Sequence, residues 1–132
     1  MAENKRYQIV FYETVDGDSD VEAYLRGLRE KAGHRKHARI ILNKIVAYLN
    51  LLEEMGTYLG EPMVKHLEEE IWELRPLDDR ILFAHYVNGV FVLLHHFTKK
   101  TNKTPRKEIE RAKREFSDFV RRLEHNENMG RG

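Results

Sequence analysis

Apolar residues along the chain recur with two periods, and the changes of period mark out the elements. Residues 7–12 are β-branched and aromatic and run into Asp16-Gly17-Asp18, which predicts a first strand and a turn. Ser19 and Glu22 then have capping-box spacing, and Val21, Tyr24, Leu25 and Leu28 recur at helical intervals until Gly33 offers a stop. A second helical stripe begins near Arg35, carries Ala38, Ile41, Leu42, Ile45, Leu49 and Leu52, and ends at Gly56, so the two helices are expected to pair as an αα-hairpin. After a loop around Gly60 and Pro62 the period becomes extended. Residues 71–75, bounded by Pro76 and Asp78-Asp79, predict a strand, and residues 80–87 and 90–98 predict two more. Asn88-Gly89 between the last two is a strong hairpin signal, because both central residues of a type I′ turn need positive φ. Residues 90–94 are apolar at every position, as befits a central strand covered on both faces. Thr104-Pro105 predicts a cap and a first helical proline, followed by a stripe of Ile109, Ala112, Phe116, Phe119, Val120 and Leu123 and a loose polar tail over 124–132.

Strand, two helices, three strands and a C-terminal helix together predict an α+β fold. The expected architecture is a small, mostly antiparallel four-stranded sheet with helices on one side. The chain has 132 residues, with neither internal repeat nor low-complexity linker, so one domain over 1–132 is expected, with its core at about 6–123. Without cysteine there is no disulfide framework and no thiolate zinc site, which fits a reducing compartment. Residues 1–6 lack the apolar run of a secretory signal, and no apolar stretch approaches the roughly 20 residues needed to cross a bilayer, so a cytoplasmic location away from membranes is expected.

The formal net charge of +1 conceals a polarised distribution. From residue 75 to 107, Arg75, Arg80, Lys99, Lys100, Lys103, Arg106 and Lys107 face only Asp78 and Asp79, a net +5, while acidic residues gather at 13–22 and at Glu68, Glu69, Glu70 and Glu73. A polyanion is expected to approach one side. Pairing of the three C-terminal strands would collect Glu73, Arg75, Arg80, His95, His96, Lys99 and Lys100, and alternation puts Arg80 and Tyr86 on the same face. Metal-free RNA cleavage needs a base for the 2′-hydroxyl, positive charge on the pentavalent phosphate and an acid for the 5′-oxygen. Arginine supplies a bidentate fork and histidine titrates near neutrality.

Each group also has a plainer reading. Arg75 and Arg80 can pair with Asp78 and Asp79 at the surface, and alternation sends His95 and His96 to opposite faces, so one of the two is expected to pack. Lys99-Lys100 can be a solvated loop, Arg111, Lys113 and Arg114 a solvated helix face, and Trp72 a core residue. No glycine-rich phosphate loop, Gly-x-Ser-x-Gly elbow or His-Glu-x-x-His helix occurs, so neither a cofactor nor a metal is expected.

Glu73-Leu-Arg-Pro-Leu, then Arg80-Ile-Leu-Phe, then Leu94-His-His-Phe-Thr-Lys-Lys-Thr-Asn-Lys-Thr-Pro105 and its helix resemble the RelE/ParE toxin superfamily, nearest its HigB-like, phage-derived branch. The resemblance covers about residues 6–120 and is strongest over 72–114. It implies a RelE-like fold and the toxin half of a type II toxin-antitoxin pair, an endoribonuclease that cuts mRNA in the ribosomal A site. Its implied partners are mRNA, the ribosome and a HigA-like helix-turn-helix antitoxin. Carried over, Arg80 matches the family arginine that stabilises the phosphate transition state, Lys99 and Lys100 match the basic residues that hold the scissile phosphate, and Arg75 matches the arginine of a Leu-Arg step. Lys103, Arg106 and Lys107 extend the RNA-binding set, and His96 is the candidate for proton transfer. Glu73 departs from the pattern, standing where some ribosome-dependent members carry lysine, which opens the option that it acts as base. A ParE-like toxin that binds DNA gyrase, or a relative that only binds its antitoxin, are the alternatives.

Overall fold

The computed structural model describes residues 6–131, with side chains through residue 127. Its elements are β1 (Gln8–Phe11), α1 (Asp20–Ala32), α2 (Lys36–Met55), β2 (Val64–Glu68), β3 (Ile71–Leu74), β4 (Asp79–Tyr86), β5 (Val90–Thr98) and α3 (Arg106–Arg131). Local chemistry sets several boundaries where they were expected. The Ser19 hydroxyl accepts from the Glu22 N–H at 3.1 Å and satisfies a free donor of α1's first turn. Gly56 ends α2 with φ +60°, and a Cβ there would lie 2.6 Å from the Tyr7 ring, so both backbone and packing require glycine. Asn88 (φ 59°) and Gly89 (φ 74°) make the tight turn into β5, closed by Val90 N–H donating to the Val87 carbonyl.

The sheet has five strands in the order β1-β5-β4-β3-β2, one more than expected. The addition is β2, where Val64, Lys65 and His66 pair antiparallel with Leu74, Glu73 and Trp72. Its polar composition disguised it: an edge strand meets water, and charge there deters pairing with other chains. β1 runs parallel to β5, which makes the sheet mixed.

Helices cover both faces rather than one. Val21, Leu25, Ile45 and Leu52 of α1 and α2 pack with Leu74, Ile81, Phe83 and Leu93, whereas Ala112, Phe116 and Phe119 of α3 close over Leu82, Ala84, Val92 and Leu94. β4 and β5 are apolar on both sides, and one helical layer would leave half of that surface wet. β5 is central as expected, with Phe91, Val92, Leu93 and Leu94 fully buried between β1 and β4. Two C-terminal expectations change. α3 continues to Arg131, so residues 124–131 of the stretch read as a loose tail are helical, residue 132 lying outside the described residues, and the Thr104 hydroxyl donates to Glu73 at 2.6 Å.

A buried polar contact ties α3 down. His95 is 0 % exposed, with Nδ1 2.6 Å from Glu115 Oε1 and Nε2 3.0 Å from Glu108 Oε1, so one ring bridges two turns of the helix. Removing it strands two largely buried carboxylates over a cavity. His95→Ala is therefore expected to cost about 2–4 kcal/mol in urea unfolding with an unchanged m-value. A loss below about 0.5 kcal/mol would show that the bridge does not hold the helix.

Candidate functional site

The register of the three C-terminal strands sorts the candidate residues into two rows. Glu73 pairs with Leu82 and Leu82 with His95, while Leu74 pairs with Ile81 and Ile81 with His96. The first row faces α3 and the second faces α1 and α2, since Leu82 and Ile81 belong to the two separate cores. Arg75 and Arg80 share the first face by alternation with Glu73 and Leu82. The groove expected to unite Arg80 with His96 is thus divided by the sheet itself.

On the α3 face, Glu73 is 1 % exposed, and its two oxygens are taken by the Thr104 hydroxyl at 2.6 Å and by Arg75 Nε at 3.5 Å. That ion pair lacks hydrogen-bond geometry, so Arg75 Nε is a buried nitrogen with no hydrogen bond. Arg80 is 5 % exposed, and its Nη1 donates to the Leu77 and Asp79 carbonyls at 2.9 Å each. Burial and then the charge of Arg75 push Arg80 below the usual guanidinium range, opposed by Glu73, Asp78 and Asp79. The plainer alternative, a surface pairing of these arginines with Asp78 and Asp79, gives way to an interior cluster around Glu73. With both oxygens engaged and no opening to solvent, Glu73 is not placed to serve as a base.

The strand ends lead into a basic loop. Lys99 N–H donates to the Asp78 carbonyl at 2.8 Å, which ties the loop to the turn before β4. Lys100, Lys103 and Lys107 are exposed and Lys99 half-buried, and none of the four makes a side-chain ion pair or hydrogen bond among the described residues. Arg106 is different. It grips Glu68 of β2 and Glu110 of its own helix, and Lys113 also reaches Glu68. Arg106 first and Lys113 second pull the Glu68 carboxyl down to about 2, and Glu68 first and Glu110 second raise Arg106. Arg106 is accordingly committed within the protein rather than presented to RNA.

On the opposite face His96 lies at an edge. β1 reaches only the Phe11–Leu93 pair, so β5 continues without a neighbour on that side, and Asp20 at the start of α1 takes the vacant place. Asp20 Oδ1 accepts from the His96 backbone N–H at 2.9 Å and lies 2.5 Å from its Nδ1, while Oδ2 is 3.5 Å from Arg111. Burial works to raise the Asp20 carboxyl, but the His96 hydrogen bonds and the Arg111 charge together hold it below the ordinary 3.8. The imidazole stacks on Tyr24 at 3.9 Å and 11°, and the Tyr24 hydroxyl donates to the buried Asp79 at 2.5 Å. Burial, then Asp79, raises Tyr24. A cleft of about 520 Å³ opens beside Tyr24, between Ile41 and His37 of α2 and Leu77, Asp78, Asp79 and Thr98 of the strand ends.

Asp20, Tyr24 and Asp79 carried no signal as site residues, because helix-start and turn positions of this kind are ordinary and their partners lie far along the chain. Among the described residues no cluster of histidine, aspartate and glutamate is arranged to hold a metal, and no helix is long and apolar enough to cross a membrane. Residues 23–117 match the family model described as Phage derived protein Gp49-like (DUF891), and no curated protein matches the chain. The matched span begins just after Asp20 and includes both rows, the lysine loop and His96.

A carboxyl depressed in the folded state stabilises the fold above its unfolded value and loses that contribution as pH falls through the folded value. Asp20→Asn should therefore lower thermal stability by its full amount at pH values above the ordinary carboxyl value of 3.8, and the gap from wild type should shrink as the pH falls below it and Asp20 protonates. A gap that stays constant across this range in melting experiments would show that the carboxylate charge contributes nothing.

Proposed function

This chain belongs to the Gp49-like phage-derived family, and from that premise we propose that it is the toxin of a two-gene toxin-antitoxin pair, a metal-independent endoribonuclease that cuts mRNA held by the ribosome. The family is associated with RelE-like toxins. One observation carries the reading: among the described residues Lys99, Lys100 and Lys103 of the loop at the end of the sheet, and Lys107 in the first turn of α3, stand without counter-ions. Lysines left unpaired beside so many carboxylates are free to exchange small counter-ions for phosphates, which is the source of affinity for a polyanion. Cleavage follows by attack of the 2′-hydroxyl on its own phosphate. The O2′–P bond forms as P–O5′ breaks, the proton passes from the 2′-oxygen to the departing 5′-oxygen through a protein base and water, and a 2′,3′-cyclic phosphate remains.

The lysine loop takes the phosphate-holding role and Arg80 a supporting one. Its Nη1 sets the turn that anchors Lys99 through Asp78, and its charge acts from beneath rather than by contact. The antitoxin is assigned to the same basic surface, which it would cover to silence the toxin. A second reading is favoured by the Glu73 carboxylate, which neutralises the Arg75–Arg80 pair that a transition state would otherwise use. Under it the protein binds a partner such as gyrase, or its antitoxin alone, without cutting RNA.

Induction in a bacterial host should produce transcripts with cyclic-phosphate ends during growth arrest. Arrest with intact transcripts and accumulated DNA breaks would instead establish the gyrase reading. With purified protein, the double variant Lys99→Glu, Lys100→Glu should weaken single-stranded RNA binding at least about tenfold and reduce the salt slope by about 1.4, two phosphate contacts at roughly 0.7 each. Arg106→Ala should stay within about twofold of wild type, because that guanidinium is already engaged. Equal losses in both variants would refute the division of cations drawn here.

A further inference from the structure

We propose that the group which takes the 2′-hydroxyl proton is His96 Nε2, on the α1–α2 face of the sheet, with Asp20 and Tyr24 as the residues that position it. The inference rests on the nuclease reading above and locates its chemistry. Asp20 Oδ1 lies 2.5 Å from Nδ1 and also accepts the His96 backbone N–H at 2.9 Å, so one carboxylate oxygen fixes both the ring and the strand that carries it. A carboxylate accepts and does not donate, so Nδ1 carries the hydrogen and the lone pair is on Nε2. Nε2 forms no hydrogen bond and is not among the sealed nitrogens, and the side chain is 23 % exposed. The adjacent His95 offers the contrast: it is 0 % exposed and both of its ring nitrogens are occupied by glutamates.

Tyr24 holds the other dimension. Its ring lies 3.9 Å from the imidazole and 11° from parallel, and it cannot swing away while its hydroxyl is tied to Asp79, itself 5 % exposed. Thr98 approaches the other Asp79 oxygen at 3.4 Å. Arg111 from α3 reaches Asp20 Oδ2 at 3.5 Å while remaining partly exposed, which puts a guanidinium beside the histidine. The groups facing His96 are therefore Asp20 and Tyr24 from α1, Asp79 behind Tyr24, and Arg111 from α3. His96 removes the 2′-proton as O2′ attacks phosphorus, and the imidazolium returns it through water to the 5′-oxygen, so the transesterification is proton-neutral.

The test is single-turnover cleavage of an RNA oligomer by the full chain across pH, for wild type, His96→Ala, Asp20→Asn, Tyr24→Phe and the control His85→Gln, each first checked for an intact melting transition. His96→Ala should lose about 10²-fold or more with RNA affinity unchanged, and added imidazole should restore part of the rate, which a merely structural role would not allow. Asp20→Asn should slow cleavage, because the ring loses the carboxylate that fixes the hydrogen on Nδ1 and the lone pair on Nε2. Tyr24→Phe should lower the rate with no change in affinity, and His85→Gln should match wild type. A wild type that cuts no RNA defeats the nuclease reading itself. A wild type that cuts, beside a folded His96→Ala or Asp20→Asn that cuts equally fast, overturns only the present assignment.

Discussion

Neighbouring side chains on a β-strand point to opposite sides, and on β5 that alternation falls between two histidines. His95 turns towards α3, where two glutamates close on it and no water reaches it. His96 turns towards α1 and meets one aspartate and one aromatic ring with an edge left open. The same side chain thus becomes a buried clasp on one face and a partly exposed imidazole on the other. The divided sheet follows from the same rule, because every strand paired with β5 inherits its two-sidedness. Glu73, Arg75 and Arg80 are sorted with His95, and Asp20, Tyr24 and Asp79 with His96.

Charge is sorted by a related economy. The guanidinium groups with rigid forks are consumed internally: Arg80 on two carbonyls, Arg75 against Glu73, Arg106 between Glu68 and Glu110. The lysines, flexible point charges with strong hydration, remain at the rim. A near-neutral chain can therefore present a locally cationic loop, since most of its carboxylates lie elsewhere. Loop 99–105 is also fixed at both ends, by Lys99 N–H on the Asp78 carbonyl and by the Thr104 hydroxyl on Glu73, so its lysines project from an anchored backbone.

Periodicity made much of the fold legible. The αα-hairpin, the Asn88-Gly89 turn and the central position of β5 are local or composition-driven features, and the pattern marks them directly. β2 escaped because an edge strand is selected for polarity rather than for alternation, and the parallel placement of β1 beside β5 escaped because nothing in residues 7–12 names a partner. The site was legible in part. The basic segment and the opposed histidines are visible along the chain, whereas the burial of Arg80 and the commitment of Arg106 to Glu68 depend on residues distant in sequence.

The amino-acid order alone determined the element types, the two-residue alternation that separates His95 from His96, and the accumulation of cations between residues 75 and 107. These are properties of short windows, set by backbone sterics and residue type. Tertiary structure alone decided which of those cations are neutralised and which histidine keeps a free nitrogen. Both outcomes depend on contacts such as Asp20 with His96 or Thr104 with Glu73, and a chain pattern with a reach of a few residues holds no information about which distant side chain closes the gap.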